Sequence, residues 1–422
     1  MGRITLSPDG RLLFATCGVR SFAYGFLSVV LGLYLDSIGL DATAIGWIFT
    51  AALAGGALVT MVLTALADSF GRRTLLMIGA MLMALAGVAF AVTDDPTLLG
   101  IAAIFGTISP SGKEVGPFLS IEQAIIPQTT HEQSRTSVFS LYNLVGSLSG
   151  ALGALAVGLP TLLSLPPIAG YRLLIWGYVS AAVVMLVLFA LLSPAVEAKS
   201  ASVPTHRKIG VQKSRGIVAK LSALFALDAF AGGFIVQGLV AYWFYLRYET
   251  AADVLAAIFF GANFLAALSF LAAPAMARLM GLLNTMVFTH LLSNLLLLLI
   301  PLMPNLELSV LVLLARHLLS QLDVPTRQSY TMAIIDPAER AASAGILSVA
   351  RNAGAALAPL FAGTVLAAPR LGLPFLLAGS LKIIYDLWIF ILFRHLRPPE
   401  ESQSAAGRPA TESHRPSGSQ AS

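Results

Sequence analysis

Ionisable side chains interrupt stretches of this 422-residue chain that are otherwise apolar: Arg20; Lys113 with Glu114; Asp228; Arg316, Asp323 and Arg327; Arg351; and Lys382 with Asp386. Each costs about 2.5–3.5 kcal/mol at the centre of a bilayer on insertion scales, so in a membrane span each is a functional candidate. A carboxylate near basic groups in a wet cavity can gain and lose a proton as its partners change, because neighbouring charge sets its proton affinity. Glu114, Asp228 and Asp323 are the candidates for that work, in that order. Arg20, Arg316 and Arg351 stay protonated, which suits them to hold a carboxylate or an anionic group of a solute. Lys113 stands beside Glu114 and is expected to tune it. Lys382 and Asp386, four residues apart, read as a local helical pair, and Glu122 as a group that stabilises a helix end or loop.

Spacing groups these residues further. Arg316, Ser320, Asp323 and Arg327 fall at i, i+4, i+7 and i+11, one stripe on a helix, and Cys17, Arg20, Tyr24 and Ser28 form a second. A one-sided polar stripe in an apolar span faces water or protein and not lipid. Each is expected to line one wall of a solute path. Tyr24, one turn from Arg20, and Asn143 are the uncharged groups expected to touch a solute.

Composition sets the elements that hold these residues. The chain is 57% apolar and 11% charged, against about 45–50% and about 25% in soluble domains. Windows of about 19 residues find apolar segments near 12–35, 43–66, 74–93, 97–125, 137–159, 172–193, 217–246, 253–276, 285–303, 308–335, 341–367 and 373–393. Each can cross about 30 Å of hydrocarbon as a helix. Helices are required because backbone polar groups in lipid must find partners within their own segment. The fold class is therefore all-α integral membrane with twelve transmembrane helices. In segment four, Pro110 and Pro117 each leave a carbonyl without its helical donor, so "SPSGKEVGP" is expected to be a loosened point.

A polar stretch rich in Ser, Lys and Arg separates segments six and seven. The chain then divides into an N-terminus (1–11), a six-helix bundle (12–193), a linker (194–216), a second bundle (217–397) and a polar tail expected to be disordered (398–422). Lys and Arg crowd the segments of one side, including Arg72, Arg73, Arg135 and the linker, whereas the opposite loops hold Arg172, Arg247 and Arg370. The positive-inside rule places both termini in the cytoplasm, in a multi-pass protein of the cell (inner or cytoplasmic) membrane. The net charge of +5 is then a matter of orientation in the lipid bilayer, and no nucleic-acid partner is called for. The first segment contains an arginine and lacks a small-residue cleavage site, so it is expected to be retained.

The lone Cys17 excludes an internal disulfide and a multi-thiolate metal site, the six histidines are dispersed, and no phosphate-cradling GxxxxGK[ST] is present. No enzymatic constellation, metal or cofactor is expected.

The second half repeats the first weakly. "RSFAYGF" from Arg20 lies over "DAFAGGF" from Asp228, "EVGP" from Glu114 over "DVPT" from Asp323, and Asn143 over Asn352. Twelve spans split six and six, with cytoplasmic termini and a basic central loop, resemble the major facilitator superfamily of secondary transporters over residues 11–397. "TALADSFGRRT", from Thr64, is similar to that family's G-x-L-A-D-R-x-G-R-K-R signature. Asp68, Gly71, Arg72 and Arg73 match, and Thr64 and Ser69 depart from it. The residues carry their own chemistry: Gly71 permits a tight turn, the arginines hold orientation, and Asp68 suits a helix N-terminus. The resemblance implies that this loop is a conformational latch between the halves. Its counterpart at Ala277, Arg278 and Gly281 is degenerate.

Gly146 and Gly150 resemble part of the exporters' G-x-x-x-G-P-x-x-G-G motif, with Ala151 in place of its proline. Gly354, Ala358, Pro359, Ala362 and Gly363 keep the same spacing in segment eleven. Small residues at such intervals also serve close helix packing in any membrane protein.

The resemblance further implies that segments one, four, seven and ten line a central cavity. Arg20 and Asp228 would face each other across it, or Arg20 would pair with Glu114 and Arg316 with Asp323 within halves. A static ion pair that only fixes packing is the competing expectation. The function expected is secondary active transport of a small polar or anionic molecule by a monomer, through alternating access, coupled to protons and leaning to export as an efflux antiporter. An uptake carrier or uniporter for a metabolite or vitamin stays open, as does a transport-inactive receptor, assembly factor or channel on the same fold.

Overall fold

Apolar runs become helices wherever no breaker intervenes, and the breaks determine where polar groups can sit. The computed structural model describes residues 6–113, 116–126, 135–197, 212–336, 339–366 and 372–396. The first half consists of α1 (Pro8–Ser37), α2 (Ala42–Phe70), α3 (Arg72–Val92), α4 (Pro96–Phe105), α5 (Phe118–Ile125), α6 (Arg135–Ala156), the one-turn α7 (Leu159–Leu162) and α8 (Pro167–Ala190). The second consists of α9 (Arg215–Gly233), α10 (Gln237–Tyr248), α11 (Ala252–Met280), α12 (Leu282–Leu299), α13 (Leu306–Leu319), α14 (Asp323–Ile334), α15 (Arg340–Leu366) and α16 (Leu373–Phe393). Glu114, the tail and most of the linker lie outside the described residues, as does the side chain of Asp68; Gly363 is placed in α15 only as part of that helix.

Among the described residues, eleven helical stretches are long and apolar enough to cross a membrane. The twelfth span is α4 followed by α5. The single helix expected over 97–125 stops at Phe105 and resumes at Phe118; neither Pro110 nor Pro117 can donate, and Gly112 and Gly116 adopt φ of +66° and +87°. Two more spans break. α9 gives way to α10 just after the Gly232–Gly233 pair, and α13 to α14 just ahead of Pro325, which cannot donate to the carbonyl of Gln321. Backbone freed in this way persists at membrane depth only inside protein or beside water, so the breaks mark the interior.

The halves echo each other in packing. α1 lies on α6, and α9 lies on α15. Both contacts are backbone-close: a Cβ on Gly25 would overlap the Gly150 carbonyl, and one on Gly354 the Ala226 carbonyl. The halves meet through α2 with α15, α6 with α11, and α1 with α10.

The side on which α1 begins is the near side of the bundle, and the other the far side. At the far side hydrogen bonds join the halves, among them Gln237 Nε2 to Ser28 Oγ (2.8 Å), Tyr242 OH to Asp36 (2.7 Å) and Gly238 N–H to the Pro110 carbonyl (2.9 Å).

At the near side Glu339 accepts from the amides of Gln212, Lys213 and Ser214 at 2.7, 2.9 and 2.9 Å, just ahead of α9. These amides, that of Gln212 foremost, hold its carboxyl down at about 2. A carboxylate held low supports its contacts above its ordinary value near 4.5 and loses them as pH falls toward 2. Hydrogen exchange of residues 212–214 is therefore expected to be slow at pH 6 and to lose its protection across that interval. Glu339→Gln should abolish the pH dependence.

Candidate functional site

A cavity of about 520 Å³ lies between the halves, within the size range of small-molecule sites. From the first half come Leu53, Gly56, Ala57 and Thr60 of α2, together with Ser111, Gly112 and Lys113 of the broken span. No α1 residue lines it. The second half supplies nearly all the charge: Asp228 of α9, Arg316 of α13, Asp323 and Arg327 of α14, Arg351 of α15 and Lys382 of α16.

Asp228 is the hub of this cluster. Its carboxylate lies 2.5 Å from Lys382 Nζ, 3.2 Å from Arg327 Nη1, 3.6 Å from Arg351 Nη1 and 3.8 Å from His290 Nε2. Arg327 also reaches Asp323 at 3.2 Å, one helical turn away. Phe225 lies beneath the guanidinium groups of both Arg327 and Arg351, at 5.6 and 5.9 Å. Behind the hub, Asp386 is 2.6 Å from His290 Nδ1 and accepts from Asn294 at 2.8 Å. Nδ1 of His290 thus faces Asp386, and Nε2 is the imidazole atom turned toward Asp228.

The first half holds its charge differently. Arg20 and Glu122 are both 0% exposed and pair at 2.8 Å, with a second bond at 3.0 Å. Thr16 and Tyr142 donate to the same carboxylate, and Arg20 lies 4.9 Å over the Phe118 ring. The polarity is the reverse of the second half, where the carboxylate is on the first helix of the bundle and the arginine on the fourth span.

Several expectations are thereby corrected. Arg20 faces neither Asp228 nor the cavity, and Glu122 is its buried partner, not a helix-end group. The α1 stripe is turned inward to protein: Cys17 toward the Tyr142 carbonyl, Tyr24 against the Tyr178 ring, Ser28 to Gln237. The Arg316, Ser320, Asp323 and Arg327 stripe does line the cavity, although the α13–α14 break divides it. Asp323 pairs with Arg327 and not with Arg316, because Arg327 is one turn away on the same helix. Lys382 and Asp386 are not a local pair, since one turns to Asp228 and the other to His290. Asn143 is exposed and outside the cavity lining, whereas its repeat partner Asn352 is in it.

Sequence reasoning underrated His290 and Lys382. The available signal was their spacing, His290 with Asn294 and Lys382 with Asp386, two polar pairs on helices that otherwise read as peripheral.

Gly71 takes a φ of +87°, and the Arg72 and Arg73 amides after it donate to Glu197 at 2.6 and 3.2 Å. Arg73 also donates to the Ala190 carbonyl at 2.5 Å. These bonds tie the loop to the end of α8. Gly146 and Gly150 turn toward α1; Gly354 and Pro359 turn toward α9.

A family model described as Major Facilitator Superfamily matches residues 13–320. The chain belongs to the major facilitator superfamily. It is a multi-pass membrane transporter, with the twelve-helix fold of that family and a small molecule as substrate. An uncharacterised membrane protein of Saccharomyces cerevisiae, YJR124C, is 29% identical over 92% of this chain and 94% of its own length. Among solved structures, the nucleoside transporter NupG matches with a TM-score of 0.73 at 13% identity, over 92% of this chain and 100% of that one. The xylose transporter XylE from E. coli matches with a TM-score of 0.68 at 14% identity, over 93% and 99%. At such identities the structural likeness concerns the fold.

Proposed function

We propose that this major facilitator superfamily protein is a secondary active carrier of a small anionic or polar solute, working by alternating access with the near side in the cytoplasm. The observation that carries this is the cavity itself. It lies between two repeated bundles, is rich in charge, and has hydrogen bonds between the bundles at its far side. A cavity closed outside by contacts between halves is what one half-cycle of a rocking carrier requires.

Coupling to protons is supported by Asp228, whose charge is shared among Lys382, Arg327, Arg351 and His290. All four belong to its own bundle, so a solute that draws Arg351 away, and not rocking of the halves by itself, would raise its proton affinity. Asp323 and Glu114 are the further candidates for coupling. The lean toward export rests on the glycine spacings in α6 and α15, and the latch role of Asp68, Gly71, Arg72 and Arg73 on the signature they match.

The test uses the far-side contact. In a Cys17→Ser background, Ser28→Cys with Gln237→Cys places thiols on α1 and α10 where the side chains now touch. A short bifunctional thiol reagent is expected to abolish solute exchange in proteoliposomes, while either single cysteine leaves flux intact. Full flux after complete cross-linking would refute alternating access through this closure.

A further inference from the structure

We infer that the solute is a small organic anion bearing two negative charges, gripped at once by Lys113 from the first half and by Arg316 and Arg351 from the second. This rests on the carrier function proposed above and names its substrate class.

The charge balance of the cavity points there. Its lining carries Lys113, Arg316, Arg327, Arg351 and Lys382 against Asp228 and Asp323. Arg327 and Lys382 are consumed by those carboxylates, at 3.2 and 2.5 Å. Lys113 and Arg316 are left over, and Arg351 only shares the Asp228 that Lys382 and Arg327 already hold. No carboxylate among the described residues lies within ion-pair distance of Lys113 or Arg316. Arg351 touches Asp228 only at 3.6 Å, its side chain is 35% exposed, and its Nη1 has no hydrogen-bond partner although that atom is buried. Arg316 Nε is buried without a partner as well. Unpaired buried donors on cations are costly unless a ligand completes them.

The geometry adds a reason for two charges and not one. Lys113 follows α4 in the first half and lines the same cavity as Arg316 of α13 and Arg351 of α15 in the second. A single negative charge balances one of these cations, whereas two, on one group or on two, balance cations of both halves at once and draw the halves together. Ser111, Thr60, Asn263, Gln321 and Asn352 supply uncharged groups around the same space, suited to hydroxyl or carbonyl groups elsewhere in the molecule. A phosphate monoester and a dicarboxylate share this chemistry.

Thermal unfolding of the purified full chain in detergent is the experiment, with glucose, gluconate, glucose 6-phosphate and glutarate as probes. At least one dianion is expected to stabilise the protein at concentrations about tenfold or more below those needed for gluconate, with glucose inert. A shift from glucose 6-phosphate alone identifies a phosphate ester, and one from glutarate alone a dicarboxylate. Lys113→Gln and Arg351→Gln should each weaken that response about ten- to hundredfold, while Arg351→Lys retains part of it and controls for folding. Glucose or gluconate stabilising as well as the dianions, or neither dianion stabilising, overturns the inference. The two proposals fail separately: dianion binding without flux removes the carrier function, and flux of a neutral sugar without dianion binding removes the substrate class.

Discussion

Arg20→Met is expected to cost about 3–5 kcal/mol of stability, because it strands a fully buried Glu122 carboxylate without its cation. Glu122→Leu should cost a similar amount from the opposite side. Thr16 and Tyr142 would still donate to a stranded carboxylate, and the Phe118 face would lose the guanidinium it now holds. Neither replaces a neutralising charge. The double variant Arg20→Met with Glu122→Leu leaves no buried ion and is expected to recover most of the loss. The shortfall, about 1–3 kcal/mol, falls on the Tyr142 hydroxyl, which loses its bonds to Arg20 and Glu122. Thermal unfolding in detergent reads all three. Because no α1 residue lines the cavity, transport by the folded double variant should stay near the wild-type rate. An unchanged unfolding temperature in Arg20→Met would show that the pair contributes nothing to the fold.

That pair also shows where sequence was sufficient and where it was not. The twelve spans, the division into halves and the weak point at "SPSGKEVGP" were legible, because apolar length, linker polarity and the proline–glycine content of 109–117 act locally. The partner of Arg20 was not. A continuous helix from Pro96 would put Glu122 about 39 Å along its axis, at 1.5 Å per residue, beyond about 30 Å of hydrocarbon. That counting makes Glu122 a helix-end group. The stop at Phe105 and restart at Phe118 change the count and bring Glu122 to the depth of Arg20. Polarity suggested that the α1 stripe lines a path, but a stripe satisfied by other helices has the same sequence pattern as one facing water. The site cations on α13, α14 and α15 could be found, since each is a charge in an apolar span. The sharing of Asp228 by Arg327, Arg351, Lys382 and His290 depends on how five helices are arranged, which no spacing within one helix encodes.

Asp228→Asn is the second change with a large expected effect, and it separates structure from transport. Removing this charge leaves Lys382, Arg327 and Arg351 around a neutral amide, with Asp323 the remaining carboxylate against Arg327. A destabilisation of about 3–5 kcal/mol is expected for an uncompensated buried cation, together with loss of transport. The loss alone would not distinguish a coupling residue from a structural one. Lys382→Met added to Asp228→Asn removes the closest cation along with the anion, while Arg327 keeps Asp323. Stability should therefore return in large part. If Asp228 carries the proton, flux driven by a proton gradient stays absent in the restored protein, because asparagine cannot ionise, while exchange of labelled solute without a gradient can persist. If the double variant instead regains gradient-driven flux at the wild-type rate, Asp228 and Lys382 are a packing pair. The coupling role would then pass to Asp323, to Glu114 or to the His290–Asp386 pair behind the hub; Asp323 contacts Arg327, and His290 faces Asp228.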